Sequence, residues 1–266
     1  MYKQKIILSV VSVIALLLPQ MARTQGVLYV SNLALTPTGS AAIGSNSWVA
    51  QTIVTGNSSG GYVLNSVQLL TDFASGTPGG FVVSLYSKTG DPHSFRIPGD
   101  APQSSLGSLG GADPSAGGIF TYTASGIMLS PSTCYFVVVT AATPTNEGAY
   151  VWSAEATLTQ GNGFSIDDSF FSSTDGSSWT SHIRQNSFQL GIYATAVPPP
   201  NLIIVTNGPG SMRILWPNSG SYTLQQNTNL ASTNWVASNY VITNNVVTNF
   251  CTVAPVPGNS FFRLKQ

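Results

Sequence analysis

Pro198, Pro199 and Pro200 stand in a row. Proline fixes φ near about −65° and has no N–H to donate, so three together cannot lie inside a sheet and favour an extended polyproline connector. The run cuts the chain into unequal parts, and the residues on both sides read as β-structure. At 266 residues, two domains are the natural expectation. The expected organisation is a signal peptide over 1–26, a large β-sandwich over 27–196, a Pro-rich linker over 197–201 and a small β module over 202–266.

Beyond residue 26 no window sustains a 3.6-residue apolar period, whereas period-two alternation recurs. Trp48, Ala50 and Ile53 fall in a short strand. Tyr62 to Thr71 reads as a longer one with Val63, Val67 and Leu69 on one face. Phe81, Val83 and Leu85 alternate without interruption. Cys134 to Thr140 (CYFVVVT) is nearly all apolar, the pattern of a central strand covered on both faces. Tyr150, Trp152 and Ala154 share a face, as do Phe188, Leu190, Ile192 and Ala194. Gly60-Gly61, Pro78-Gly79-Gly80, Thr89-Gly90-Asp91-Pro92 and Asp175-Gly176 are turn signals. The Gly/Ser/Pro-rich interval from Asp91 to Gly118 reads as a long loop with at most one short strand. Eight to ten strands without helices predict an all-β fold, a jelly-roll-like β-sandwich followed by a small β-sandwich module. In the small module Trp216, Leu224, Trp235 and Phe262 are the expected core.

Only 7% of residues are Asp, Glu, Lys or Arg, against roughly 25% in an average soluble domain. With 42% hydrophobic residues the chain still has enough apolar side chains for a core. Lys3 and Lys5, then the 13 residues Ile6 to Leu18 broken only by Ser9 and Ser12, then Pro19, form the pattern of an export leader. Cleavage after Arg23 would leave six basic against nine acidic residues. That balance offers no basic patch for phosphates, so neither nucleic acid nor an anionic membrane surface is an expected partner. Cys134 and Cys251 are the only cysteines, one on each side of the prolines, and free thiols are expected.

Candidate chemistry is sparse. Gly56-Asn57-Ser58-Ser59-Gly60 matches G-x-S-x-G, but a nucleophile elbow needs a helix after its serine, and a strand is expected here. His93 and His182, the only histidines, are far apart in sequence, so no metal site is expected from them. Asp167, Asp168 and Asp175 are the densest carboxylates. They lack a D-x-D-x-D-G register, which leaves Ca²⁺ a minor alternative to no cofactor at all. Adjacent Asp167 and Asp168 would point to opposite faces of a strand, which defeats a glycosidase pair. Ser173-Thr174-Asp175-Gly176-Ser177-Ser178-Trp179 resembles a shortened Asp-box hairpin, in which the Asp bonds the turn, the Gly takes positive φ and the Trp packs beneath. Tyr150, Phe170, Phe171, Asp175 and Trp179 are the candidate ligand-binding residues, because aromatics beside polar groups can stack sugar rings.

The ordered stretches WVAQTIVTG, GYVLNSVQLL, GGFVVSLYS, LSPSTCYFVVV, YVWSAEAT and DGSSWTSH…FQLGIYATA resemble the choice-of-anchor R domain over roughly residues 27 to 196. The resemblance implies an exported bacterial β domain of the outer cell surface or medium, with no catalytic residues to carry over. The usual C-terminal anchor of that family, an apolar helix followed by basic residues, is replaced here by NLIIVTN, SMRILWP, SYTLQQNTNL, NWVAS and SFFRLKQ. This tail resembles a short fibronectin III-like or immunoglobulin-like module of exported proteins from Verrucomicrobia-like bacteria. The expected function is a non-catalytic, surface-associated or secreted structural or adhesion protein. The alternative is a carbohydrate-binding module using exposed aromatics of the first domain. The expected partners are extracellular glycans or other surface proteins.

Overall fold

The computed structural model of the protein describes residues 26–93, 100–208, 210–218, 222–245, 248–254 and 258–265. The expected leader lies outside them but for Gly26. Among the described residues the protein is all-β, with antiparallel sheets, none closed into a barrel. Before the prolines come β1 (Val27–Ser31), β2 (Gly39–Ile43), β3 (Trp48–Val54), β4 (Tyr62–Gly76) and β5 (Val82–Lys88). Next are β6 (Pro102–Leu109), β7 (Gly118–Thr123), β8 (Met128–Leu129), β9 (Cys134–Thr140) and β10 (Gly148–Glu155). Then follow β11 (Thr159–Gln160), β12 (Ser165–Ser173), β13 (Thr180–His182), β14 (Ser187–Phe188) and β15 (Leu190–Ala196). Beyond the prolines lie β16 (Ile203–Thr206), β17 (Met212–Pro217), β18 (Thr223–Asn227) and β19 (Val236–Ala237). The last are β20 (Thr243–Asn244), β21 (Thr248–Val253) and β22 (Phe261–Lys265).

One eight-stranded sheet runs β1-β15-β4-β10-β14, with β2 added on β10 and β7 and β8 on β4. A seven-stranded sheet runs β11-β12-β3-β9-β5-β6, with β13 added on β12. Their facing sides supply the main core, which joins Leu64, Val67, Leu69, Trp152 and Ile192 of the first sheet to Ile53, Leu85, Val137 and Val139 of the second. The apolar run of β9 serves two layers. Tyr135, Val137 and Val139 face that core, while Phe136 and Val138 point the other way and meet Ala50 and Phe171. Trp48, Tyr86 and Trp179 pack on this second cluster, so β9 is covered on both faces as its sequence predicts.

Three expectations need correction. Val63 does not share a face with Val67 and Leu69, because Tyr193 pairs with Ser66 and Ala194 with Leu64, leaving Asn65 as an extra residue in β4. Such a bulge flips the alternation, and Tyr62 and Leu64 point inward instead. The interval after Asp91 holds an eight-residue strand, β6, at the edge of its sheet. Its middle residues are exposed, so it needs no apolar alternation. The stretch before the prolines has fifteen strands among the described residues, more than the eight to ten expected, because several are two- or three-residue pairings.

Buried polar side chains hold the irregular places. The β12–β3 pairing shifts between Ile166 and Phe170, which takes the carbonyls of Asp167 and Ser169 out of the ladder. Gln51, fully buried on β3, donates from Nε2 to both, at 2.7 and 3.2 Å. Its Oε1 accepts the Phe188 N–H at 2.7 Å, tying the two sheets together. Gln189 separates β14 from β15 and donates to the carbonyls of Asn32 and Leu35 at 3.0 and 2.7 Å. Asn32 Oδ1 accepts the Leu190 N–H at 2.7 Å. A buried unpaired amide or carbonyl would cost about 1–3 kcal/mol at each position, so these side chains stand where the ladder fails.

Beyond the prolines a four-stranded sheet, β16-β17-β21-β20, and a three-stranded one, β19-β18-β22, enclose a separate small core. Trp216 and Leu224 are buried there with Ile214, Cys251 and Val253, and Phe262 packs against them. Trp235 is not part of this core. It lies before the short edge strand β19, and the Arg263 guanidinium sits 4.4 Å from its ring centroid, a cation–π contact.

Candidate functional site

The five candidate residues occupy three different environments. Tyr150 is buried in the main core, edge-on to Phe81 with ring centroids 4.9 Å apart. Its hydroxyl donates to Asp113 Oδ2 at 2.9 Å, and Asp113 also accepts the N–H groups of Gly80 and Phe81. The carboxylate therefore anchors the β4–β5 turn to β10. Burial, then the hydrogen bond to Asp113 and its charge, push the Tyr150 phenol up from 10.0 to about 12. Tyr122, buried beside them, is pushed up as well, first by burial and then by the charge of Asp113. A phenol raised on folding stabilises fully below its unfolded value and loses that contribution as pH climbs through its folded value. Urea midpoints are expected to fall between pH 10 and about 12, and less steeply in Tyr150→Phe. Parallel falls in the two proteins would overturn the assignment.

Phe170 and Phe171 point to opposite faces of β12. Phe170 is half-buried and stacks on the His182 ring at 4.3 Å with planes 10° apart. Phe171 is buried edge-on against Phe136 at 5.1 Å. Asp175 is exposed and closes the β12–β13 turn: its Oδ1 accepts the N–H groups of Ser177 and Ser178 at 2.8 and 3.2 Å and the Ser173 hydroxyl at 3.1 Å. Those donors, led by the Ser177 N–H, hold its carboxyl well below the usual range. Gly176 has φ of +76°, and a Cβ there would come within 2.8 Å of the Trp48 ring. Trp48 thus lies under the glycine of this Asp-box-like turn, while Trp179, half-buried, packs on the same outer cluster. The turn is a structural clasp over the second sheet. It does not join Tyr150, on the other sheet, in a shared stacking face.

The remaining motifs have local roles. Gly56 to Gly60 links β3 to β4, with the Ser58 N–H donating to the Tyr62 hydroxyl at 3.1 Å and a strand following. His93 Nδ1 carries its proton, because it contacts the Ser132 carbonyl at 2.8 Å and a carbonyl only accepts. Lys88 and Asp100 form a buried ion pair at 2.6 Å, and the ammonium also donates to the carbonyls of Thr89 and Asp91. Both cysteines are free and buried, and burial pushes the Cys134 thiol up to about 12, so it is protonated and inert at neutral pH. Among the described residues no three His, Cys, Asp or Glu side chains cluster as a metal site would require.

A concave surface lies away from these residues. Where β4, β10, β2 and the start of β7 meet, a groove of about 490 Å³ opens to solvent. Thr71 pairs with core residue Trp152, so Leu70 and Asp72 face away from the core into the groove, beside Ser40 and Ser153. Phe73 rises at the rim, 73% exposed. The alternation of Val67, Leu69 and Thr71 would carry it inward. The β4–β10 register prevents this: Ala149 pairs with Ser75 and Val151 with Asp72, so Phe73 and Ala74 together oppose Tyr150. The bulge turns the ring out, and sequence alternation gave no sign of it.

No family model, no curated protein and no solved structure matches the chain.

Proposed function

We propose that the chain is an exported, non-catalytic structural or adhesive protein of the cell surface or medium. The observation that carries this reading is how its carboxylates are used. Asp113 anchors the β4–β5 turn, Asp175 closes a hairpin, and Asp100 neutralises Lys88. Glu155 accepts the N–H and hydroxyl of Thr157 at 2.7 and 2.6 Å. Four of the carboxylates that could serve as acids or bases are thus engaged in holding turns or an ion pair. The leader pattern and the choice-of-anchor R resemblance support export, and the scarcity of basic residues disfavours nucleic acid. The second reading, carbohydrate binding, is favoured by the groove beside Phe73 rather than by Tyr150, Phe170, Phe171, Asp175 and Trp179.

The test is to express the tagged full chain beside a form lacking residues 201–266, and to measure location and attachment of cells to surfaces. The full chain is expected in the surface fraction or medium, with increased attachment; retention in the cytosol would sink the reading. Loss of cell association on truncation would make the small module a sorting or anchoring element, and unchanged association would make it a spacer.

A further inference from the structure

We propose that the groove at the β4–β10 bulge binds a neutral saccharide, with Phe73 as the stacking platform and Asp72 as the hydrogen-bond acceptor. The proposal rests on the adhesive reading and gives it a ligand class.

Three observations carry it. First, a large aromatic ring is held outward by a register shift in the middle of a paired strand, where regular alternation would have buried it. Bulges re-aim side chains at functional places, and an outward ring forgoes the burial that an inward Phe would gain. Second, the Asp72 carboxylate is half engaged. Its Oδ1 accepts the Phe73 N–H at 2.7 Å, which fixes the carboxylate next to the ring, and the residue is otherwise exposed to the groove. Third, the surrounding surface is built for hydroxyl partners. Ser40 and Ser153 line it, the latter buried at its floor, and among the described residues no Lys, Arg or His does.

This combination selects its ligand by chemistry. The apolar C–H face of a pyranose fits an aromatic ring, while its hydroxyls donate to a carboxylate and exchange bonds with serines. A phosphate, sulfate or uronate would meet Asp72 without any cation to offset the repulsion. An apolar peptide would have to desolvate Asp72 without pairing it. The groove volume lies within the range of about 300–1,000 Å³ usual for small-molecule sites.

The test uses the purified full chain on an array of neutral gluco-, manno-, galacto- and xylo-oligosaccharides, with uronate-bearing oligosaccharides alongside. At least one neutral oligosaccharide is expected to bind, at least tenfold more weakly in Phe73→Ala and about threefold more weakly in Asp72→Asn, with Phe73→Trp restoring binding. Phe73 is largely exposed, so these variants are expected to melt like the wild type. Unchanged binding by Phe73→Ala, or binding of uronate-bearing oligosaccharides alone, would overturn the proposal. So would an array blank for neutral sugars. A blank array together with surface attachment of expressing cells would remove the saccharide and leave the adhesive reading standing. Cytosolic retention would remove that reading whatever the array shows.

Discussion

Gln51→Ala is expected to lower the unfolding free energy of the large unit by about 3–5 kcal/mol in urea titrations. The side chain is fully buried, and its loss strands the carbonyl of Ser169 and the N–H of Phe188 and removes a donor from the Asp167 carbonyl, which keeps the Ser187 hydroxyl. Gln51→Glu probes the same point by another route. It would set a carboxylate oxygen against two carbonyl oxygens, so it is expected to destabilise at least as much although the shape is kept. A loss below about 1 kcal/mol in Gln51→Ala would mean that the bulge holds itself without this side chain.

Trp216→Ala is expected to unfold the small unit while leaving the large one intact. Removing a buried Trp costs about 3–5 kcal/mol, and a unit below about 70 residues rarely holds more than about 3–5 kcal/mol in total. Trp216 is 1% exposed and is the largest side chain of a core that holds four other buried apolar residues among the described residues. Limited proteolysis of the variant should trim the chain back toward the prolines, with the melting of the large unit unchanged. Trp216→Phe is the informative control. It keeps most of the ring and removes an indole N–H that is buried without a hydrogen-bond partner among the described residues, so the small unit should stay folded. If both units lost stability together in Trp216→Ala, they would be one cooperative body rather than two.

The parts of the fold that could be read in the sequence are those where one side chain's environment follows from its neighbours in the chain. CYFVVVT announces a strand buried on both faces, and Phe81, Val83 and Leu85 announce an inward row. What escaped depends on register between distant strands. Asn65 and Phe73 each interrupt β4, and neither bulge holds a glycine to mark it. Gln51 lies among the apolar residues of WVAQTIV, where a glutamine would ordinarily be placed on the solvent side. Its inward position follows from carbonyls of β12, more than a hundred residues later, that the β12–β3 ladder leaves out. The proposed groove lies away from the candidate residues that the sequence suggests. The sequence places aromatics beside a carboxylate at Phe170, Phe171 and Asp175, but these rings pack on opposite faces of β12 and the carboxylate closes its own turn. The same pairing stands exposed at Phe73 and Asp72.

The two thiols carry a practical consequence. Cys134 and Cys251 are each 1% exposed, and they lie on opposite sides of the proline run. Each is a small apolar filler in its surroundings, with burial raising its proton affinity. Folding therefore involves no oxidative step, and the native state offers an oxidant little to react with. The redox poise of a compartment is not one of the variables that set this protein's stability, and a reducing cytosol and an oxidising exterior should yield the same folded chain.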